Sequence, residues 1–332
     1  MKELKLFRGV TDIKYENGRY TPLRFTEEQL KSLAKLDPVY EKFARSSAGV
    51  VLKFYTEKDI ISFEFEAKIF YTKTGSFDVY ENGVLTKSFS LAETDSTGKI
   101  EYCKENEDES LIEIYLPNNA GVALWNFDLG EYRTAEEKDT KVMFCGDSIT
   151  QCAYITTSSL TFANIASTLA GSECLNRGVG SLYFDETTLD EDDTADPDVI
   201  FVEFGANDVV KRENGKVVFD NDKVVYRCED DLPEMAETIR KYLEKLKHIY
   251  PNAKINVISM LWNMVEAELL DPVFYEKYRE DMKIITEGLG LCYIDGRTVI
   301  PHLRECLAAD KIHLSQLGAA MAAQKIYKYI GK

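Results

Sequence analysis

The hydrophobic pattern changes its period once, near residue 140, and that change limits what the chain can fold into. Before it, β-branched and aromatic residues come in short runs. After it, short apolar runs alternate with longer amphipathic stretches, the signature of a parallel sheet with helices on both faces. In the second part the expected strands are 141–145, 172–176, 198–204, 254–261 and 291–295, and the expected helices 159–170, 230–249, 272–288 and 315–330. The run 198–204 is nearly all apolar, as an inner parallel strand buried on both faces should be. In such sheets a site lies beyond the carboxyl ends of the strands.

The first part reads as strands at 49–55, 60–69, 99–104, 110–116 and 121–127. Phe77 to Tyr80, then Glu81-Asn82-Gly83, then Val84-Leu85 is a hairpin with Asn-Gly at its turn. Short strands at this spacing predict an antiparallel sandwich, jelly-roll-like in layout. The exception is 25–44, where Thr26 before Glu27-Glu28-Gln29 starts a helix and Pro38 interrupts it, so one or two short helices are expected. The polar stretch 134–140 is the expected boundary between a β-sandwich domain over 1–136 and an α/β domain over 137–332. With 332 residues there is enough chain for two compact cores.

A net charge of −17 bears on partners. Such a surface repels phosphate backbones and anionic membranes, which argues against nucleic acid and lipid surfaces. A neutral substrate, or one whose anionic product is expelled, fits better. There is no leader-like N-terminus and no run of membrane-span length. The seven cysteines are scattered without metal-binding spacing, several of them in apolar runs. Free thiols and no export signal predict a cytoplasmic protein. The acidic run Asp190-Glu191-Asp192-Asp193 reads as a solvated loop, not a metal site. Oligomeric state is open, a homo-oligomer included.

Four segments carry the chemistry, at strand ends or just before the last helix. They are Gly146-Asp147-Ser148, the stretch from Asn176 to Ser181, Gly205-Ala206-Asn207-Asp208, and Asp310-Lys311-Ile312-His313. Strand ends of one sheet converge in space. Acyl transfer needs these residue types: Ser148 as nucleophile, His313 as the base that takes its proton, and Asp310 to hold the imidazole tautomer. A tetrahedral oxyanion needs donors, for which the Ser148 N–H, an N–H in the 178–181 turn and the Asn207 amide are candidates. Losing one such donor typically costs about 3–4 kcal/mol of transition-state stabilisation. Asp147 reads as a support of the turn through local hydrogen bonds, with a place in the substrate pocket as the alternative.

Gly-Asp-Ser-Ile-Thr, Gly-x-Asn-Asp and Asp-x-x-His, in this order, resemble the SGNH, or GDSL-type, hydrolase superfamily over about 140–332. That resemblance implies a flavodoxin-like three-layer α/β/α domain and ester hydrolysis without metal or cofactor. It makes Ser148 the nucleophile, Asn207 an oxyanion donor, and Asp310 with His313 the rest of a triad. The glycine segment departs from the family form Asn-x-Gly-x-x-Gly: its last position is Ser181, so either Ser181 or Gly180 supplies the N–H. The first part is similar to the β-sandwich modules that precede this domain in some carbohydrate esterases, which implies an O-acetylated sugar or oligosaccharide ester as substrate. Exposed aromatics would then serve as sugar platforms, although Phe63, Phe65, Phe77, Tyr80 and Trp125 read mostly as core.

Trp262 ends the fourth strand of the sheet and reads equally as pocket wall or core. His248 reads as a helix end, His302 as a packing or surface residue. Cys145 and Cys152 lack an obvious base and rank far below Ser148 as nucleophile. Three functions follow from the sequence. The first is a serine esterase acting on short acyl, above all acetyl, esters of carbohydrate. The second is a lysophospholipase or thioesterase using the same triad. The third is a catalytically inert carbohydrate-binding protein.

Overall fold

The computed structural model describes residues 2–69, 74–213, 215–266 and 271–331. Two antiparallel sheets form the first part. One has the order β1 (Phe7–Arg8), β4 (Val51–Thr56), β9 (Ser110–Tyr115), β6 (Ser76–Glu81), β7 (Val84–Ser90), with β11 (Tyr132–Thr134) also pairing with β4. The other runs β2 (Asp12–Glu16), β3 (Arg19–Leu23), β10 (Ala120–Asp128), β5 (Ile60–Ile69), β8 (Thr97–Cys103). The alternation read from the sequence places one face of each sheet inward. Phe54, Phe63, Phe65, Phe77, Val79, Ile112 and Leu124 meet in one core, and each buried phenylalanine contributes about 2–3 kcal/mol. Of the five aromatics expected in the core, Phe63, Phe65 and Phe77 are buried, whereas Tyr80 and Trp125 are half-buried. The Asn82-Gly83 hairpin forms as expected, both residues at positive φ (51° and 81°) as its tight turn requires.

The second part has a five-stranded parallel sheet. It consists of β12 (Lys141–Gly146), β13 (Glu173–Gly178), β14 (Val199–Glu203), β19 (Lys254–Ile258) and β20 (Cys292–Ile294), in the order β13-β12-β14-β19-β20. This is the flavodoxin-like doubly wound order. Successive side chains take opposite faces. Met143, Cys145, Ile200 and Val202 pack toward α5 (Leu232–Ile249) and α6 (Pro272–Gly288). Val142, Phe144, Val199 and Phe201 pack toward α4 (Phe162–Ala170) and α7 (Gln316–Ile326). The result is three layers. Two short hairpins lie between β14 and α5: β15 (Arg212–Glu213) with β16 (Lys216–Val217), and β17 (Phe219–Asp220) with β18 (Lys223–Val224). Among the described residues no helix is long and apolar enough to cross a membrane.

The stretch 25–44 forms two helices, α1 (Glu27–Leu36) and α2 (Pro38–Ala44). Thr26 and Gln29 cap each other, and Asp37 caps the second helix, whose first residue is Pro38. Their apolar residues Leu30, Leu33, Tyr40 and Phe43 join the core on one face of the parallel sheet. The early segment of the chain is thus built into the layer beside the candidate site.

Candidate active site

β12 ends at Gly146, where nothing larger fits: a Cβ there would lie 2.2 Å from Thr150 Oγ1 and 2.3 Å from the Glu203 carbonyl oxygen. Asp147 follows as N-cap of a single helical turn, α3 (Ser148–Gln151), its Oδ1 accepting the Ile149 N–H at 2.8 Å. The turn ends at Cys152 in the left-handed region (φ 61°). Ser148 is thereby presented at the end of the sheet.

The four segments converge. Ser148 Oγ lies 2.7 Å from His313 Nε2, and His313 Nδ1 lies 2.6 Å from Asp310 Oδ2. Asp310 Oδ1 also accepts the N–H groups of Ile312 and His313, at 3.0 and 3.1 Å. Burial alone would raise the Asp310 pKa; the bond from His313 and the backbone donors outweigh it and hold the carboxyl well below the usual carboxylate range. A charged carboxylate therefore stands behind the imidazole.

Asn207 donates through Nδ2 to Asp147 Oδ2 at 3.0 Å, which fixes its amide beside the serine. The Gly180 N–H is already given to Gln151 Oε1 at 2.8 Å. Ser181 sits at φ 64°, the glycine-like conformation that the second glycine of the family form would take without cost. Of the two N–H groups weighed from the sequence, that of Gly180 is thus already engaged. Asp147 is fully buried, so its place is under the turn and not in the wall of the pocket. Burial raises its pKa.

Trp262 is half-buried and packs on the core beneath it. The ring of His302 stacks on it at 4.7 Å and 10°. The next residues are tied to the triad segment through the Met264 N–H, which donates to the Lys311 carbonyl at 3.0 Å. His302 and His248 are exposed. Burial pushes the thiols of Cys145 and Cys152 up to about 12, so neither is a nucleophile at neutral pH.

Sequence reasoning missed several supports. Tyr154 lies in the loop after α3 and stacks on the His313 ring, with centroids 4.4 Å apart and planes at 27°. Arg24 is buried and donates to the carbonyls of Asn176 (2.7 Å) and Gly178 (3.0 Å) at the start of the glycine turn. Asn118 and Asn119, just before β10, donate to the carbonyls of Cys152 (2.6 Å) and Ala153 (2.5 Å). The sandwich half thus clamps both loops that flank Ser148. The acidic run also differs from expectation: Asp193 is buried against Arg177 at 3.0 Å, and Asp190 accepts from Thr26 at 2.6 Å, so two of its four carboxylates point inward. Among the described residues no group of three or more metal-ligating side chains is arranged for a metal ion.

Residues 144–321, more than half of the chain, match the model of the GDSL-like lipase/acylhydrolase family. The chain belongs to that family. No curated protein sequence matches this GDSL-like acylhydrolase. Solved structures match its fold end to end. The salicylyl-acyltransferase SsfX3 from a tetracycline biosynthetic pathway is 16% identical over 96% of this chain and 92% of its own, with a TM-score of 0.78. A family two carbohydrate esterase from Cellvibrio japonicus is 13% identical over 99% and 95%, with a TM-score of 0.66. An acetyl xylan esterase, Est2A, from the rumen bacterium Butyrivibrio proteoclasticus is 15% identical over 86% and 89%, with a TM-score of 0.59. At these identities the likeness speaks for the fold: an α/β acylhydrolase domain preceded by a sheet-rich module, as in carbohydrate esterases.

Proposed function

We propose that the chain is a serine esterase that removes short acyl groups, above all acetyl, from carbohydrate. The observation that carries this reading is the continuous line Ser148–His313–Asp310, at 2.7 and 2.6 Å, on the open end of the sheet. Ser148 Oγ attacks the ester carbonyl while His313 Nε2 takes its proton. The oxyanion is held by the N–H groups of Ser148 and Ser181 and by the Asn207 amide. Collapse breaks the ester bond, and His313 returns the proton to the departing sugar hydroxyl. Water then repeats the attack on the acyl-enzyme and releases the carboxylic acid, restoring Ser148. Asp310 stays ionised and stabilises the imidazolium. The acetylated-sugar part of the reading is supported by the sheet-rich first part and by fold neighbours that are carbohydrate esterases. The acidic surface favours release of the carboxylate product.

The likeness to SsfX3 supports a second reading, transfer of the acyl group to an alcohol in place of water. One experiment separates the readings. Acetate release is measured on acetylated xylo-, manno- and gluco-oligosaccharides, with p-nitrophenyl esters of increasing chain length alongside and with an added alcohol acceptor. We expect acetate from one sugar class and a preference for p-nitrophenyl acetate. Ser148→Ala and His313→Ala should each lower the rate at least ~10⁴-fold without a change in melting temperature. Preference for long chains would move the enzyme to lipids or thioesters, and ester formed with the acceptor to acyl transfer. Near-full activity in either variant would end the assignment.

A further inference from the structure

The imidazole of His313 has two edges and two faces, and the chemistry above uses only the edges. Nε2 meets Ser148 Oγ at 2.7 Å, and Nδ1 meets Asp310 Oδ2 at 2.6 Å. The torsion that turns a histidine ring is broad, so what lies on its faces decides how far the ring can tilt between those partners. One face carries the ring of Tyr154, with centroids 4.4 Å apart and planes at 27°.

Tyr154 is fixed in turn from the sandwich half. The carbonyl before it, of Ala153, accepts from Asn119 Nδ2 at 2.5 Å and from the Thr74 hydroxyl at 3.2 Å. The carbonyl after it, of Ile155, accepts from Asn118 Nδ2 at 3.3 Å. Ala153 and Ile155 are both buried, and Tyr154 between them is half-buried. The backbone is thus pinned on either side of a side chain that lies on the imidazole. This contact outlasts the bond to the serine. Once Ser148 is acylated, its Oγ has no proton to share, and Nε2 must serve a water while only Asp310 and Tyr154 hold the ring. The same contact suits the charge that develops. An imidazole that takes a proton becomes a cation, and a cation within about 6 Å of a phenol ring is attracted to its negative face.

We propose that Tyr154 is a positioning residue of the catalytic base: its ring keeps the imidazole of His313 in line with Asp310 on one edge and with serine or water on the other. The proposal rests on the triad of the esterase reading and adds what steadies the base through both halves of the reaction. The test is steady-state hydrolysis of p-nitrophenyl acetate by the parent, by Tyr154→Leu and by Tyr154→Phe. Leucine removes the flat face, whereas phenylalanine keeps it and removes only the hydroxyl. A small misplacement of a reacting group is costly, about 100-fold for 1 Å. Tyr154→Leu should therefore lower kcat by at least about tenfold, with KM not raised and the melting temperature unchanged. Tyr154→Phe should stay within about threefold of the parent, because the face remains. If the leucine variant does not fold, Tyr154→Met, apolar and without a flat face, takes its place with the same thresholds. A smaller loss, a loss carried by a raised KM, or a phenylalanine variant slower than stated overturns the role. An undiminished leucine variant beside an active parent rejects the positioning role alone. A parent without activity, or one whose activity survives in Ser148→Ala, rejects the esterase reading and this role with it.

Discussion

Glu81 and Glu203 each end a strand, one in the sandwich and one in the parallel sheet, and each is only 2% exposed. Their surroundings differ. Glu81 accepts from the Tyr102 hydroxyl (2.7 Å), the Glu105 N–H (2.8 Å), the Asn106 N–H and side chain (3.2 and 2.8 Å) and the Ser110 hydroxyl (2.8 Å). Burial pushes its pKa up, the donors pull harder, and the group settles at about 2. Among the described residues Glu203 accepts only from the Thr150 hydroxyl, at 2.9 Å, and its Oε1 has no partner. Burial and the neighbouring Asp147 push its pKa well above the ordinary carboxylate value. One acid is a charged hub that holds loops. The other is an under-satisfied group beneath the turn that presents Ser148. Glu81 has its polar demand met within the sandwich, while the demand of Glu203, at a strand end of the parallel sheet, is left partly open.

This contrast can be broken experimentally. The largest effect belongs to Glu81→Ala, which strands several buried donors at once. Stability in urea should fall by at least about 3 kcal/mol, while hydrolysis per folded molecule is unchanged. A change under 1 kcal/mol would mean that the hub is ornamental. A smaller effect is expected from Glu203→Gln, within about 1 kcal/mol at pH 4, where the parent carboxyl is largely protonated in both states and little bonding is lost. Its informative part is the pH dependence. A carboxyl whose native pKa is raised keeps its proton after the unfolded chain has lost it, so the parent loses stability as pH climbs above the ordinary glutamate value. The Gln variant lacks that loss and should gain on the parent steadily from pH 4 to pH 8. The opposite trend would place Glu203 with Glu81.

The strand ends were legible because their signals are local. A short apolar run followed by Gly146-Asp147-Ser148 or by Gly205-Ala206-Asn207 announces its own turn, and Thr26 and Asn82-Gly83 announce theirs. What stayed hidden depends on partners far along the chain. Nothing adjacent to Arg24 in the sequence points to the carbonyls of Asn176 and Gly178, some 150 residues on, to which it donates. Asp193 reads as part of a solvated run until Arg177 meets it. Strands of two residues, as in β15 to β18, carry no periodicity to read. Residue type alone does not give φ, so Ser181 could not be assigned over Gly180 from the sequence. Tyr154 lies six residues from Ser148, yet nothing in that spacing says that its ring faces His313.

The central claim is that Ser148 is an activated nucleophile with His313 as its base. The direct test is reaction with a fluorophosphonate probe at neutral pH, with the adduct located by peptide mass spectrometry. The account predicts one adduct, on Ser148, formed at least a hundredfold more slowly in His313→Ala protein that remains folded. An unlabelled Ser148, an adduct on another residue, or equal labelling in the His313 variant would contradict it.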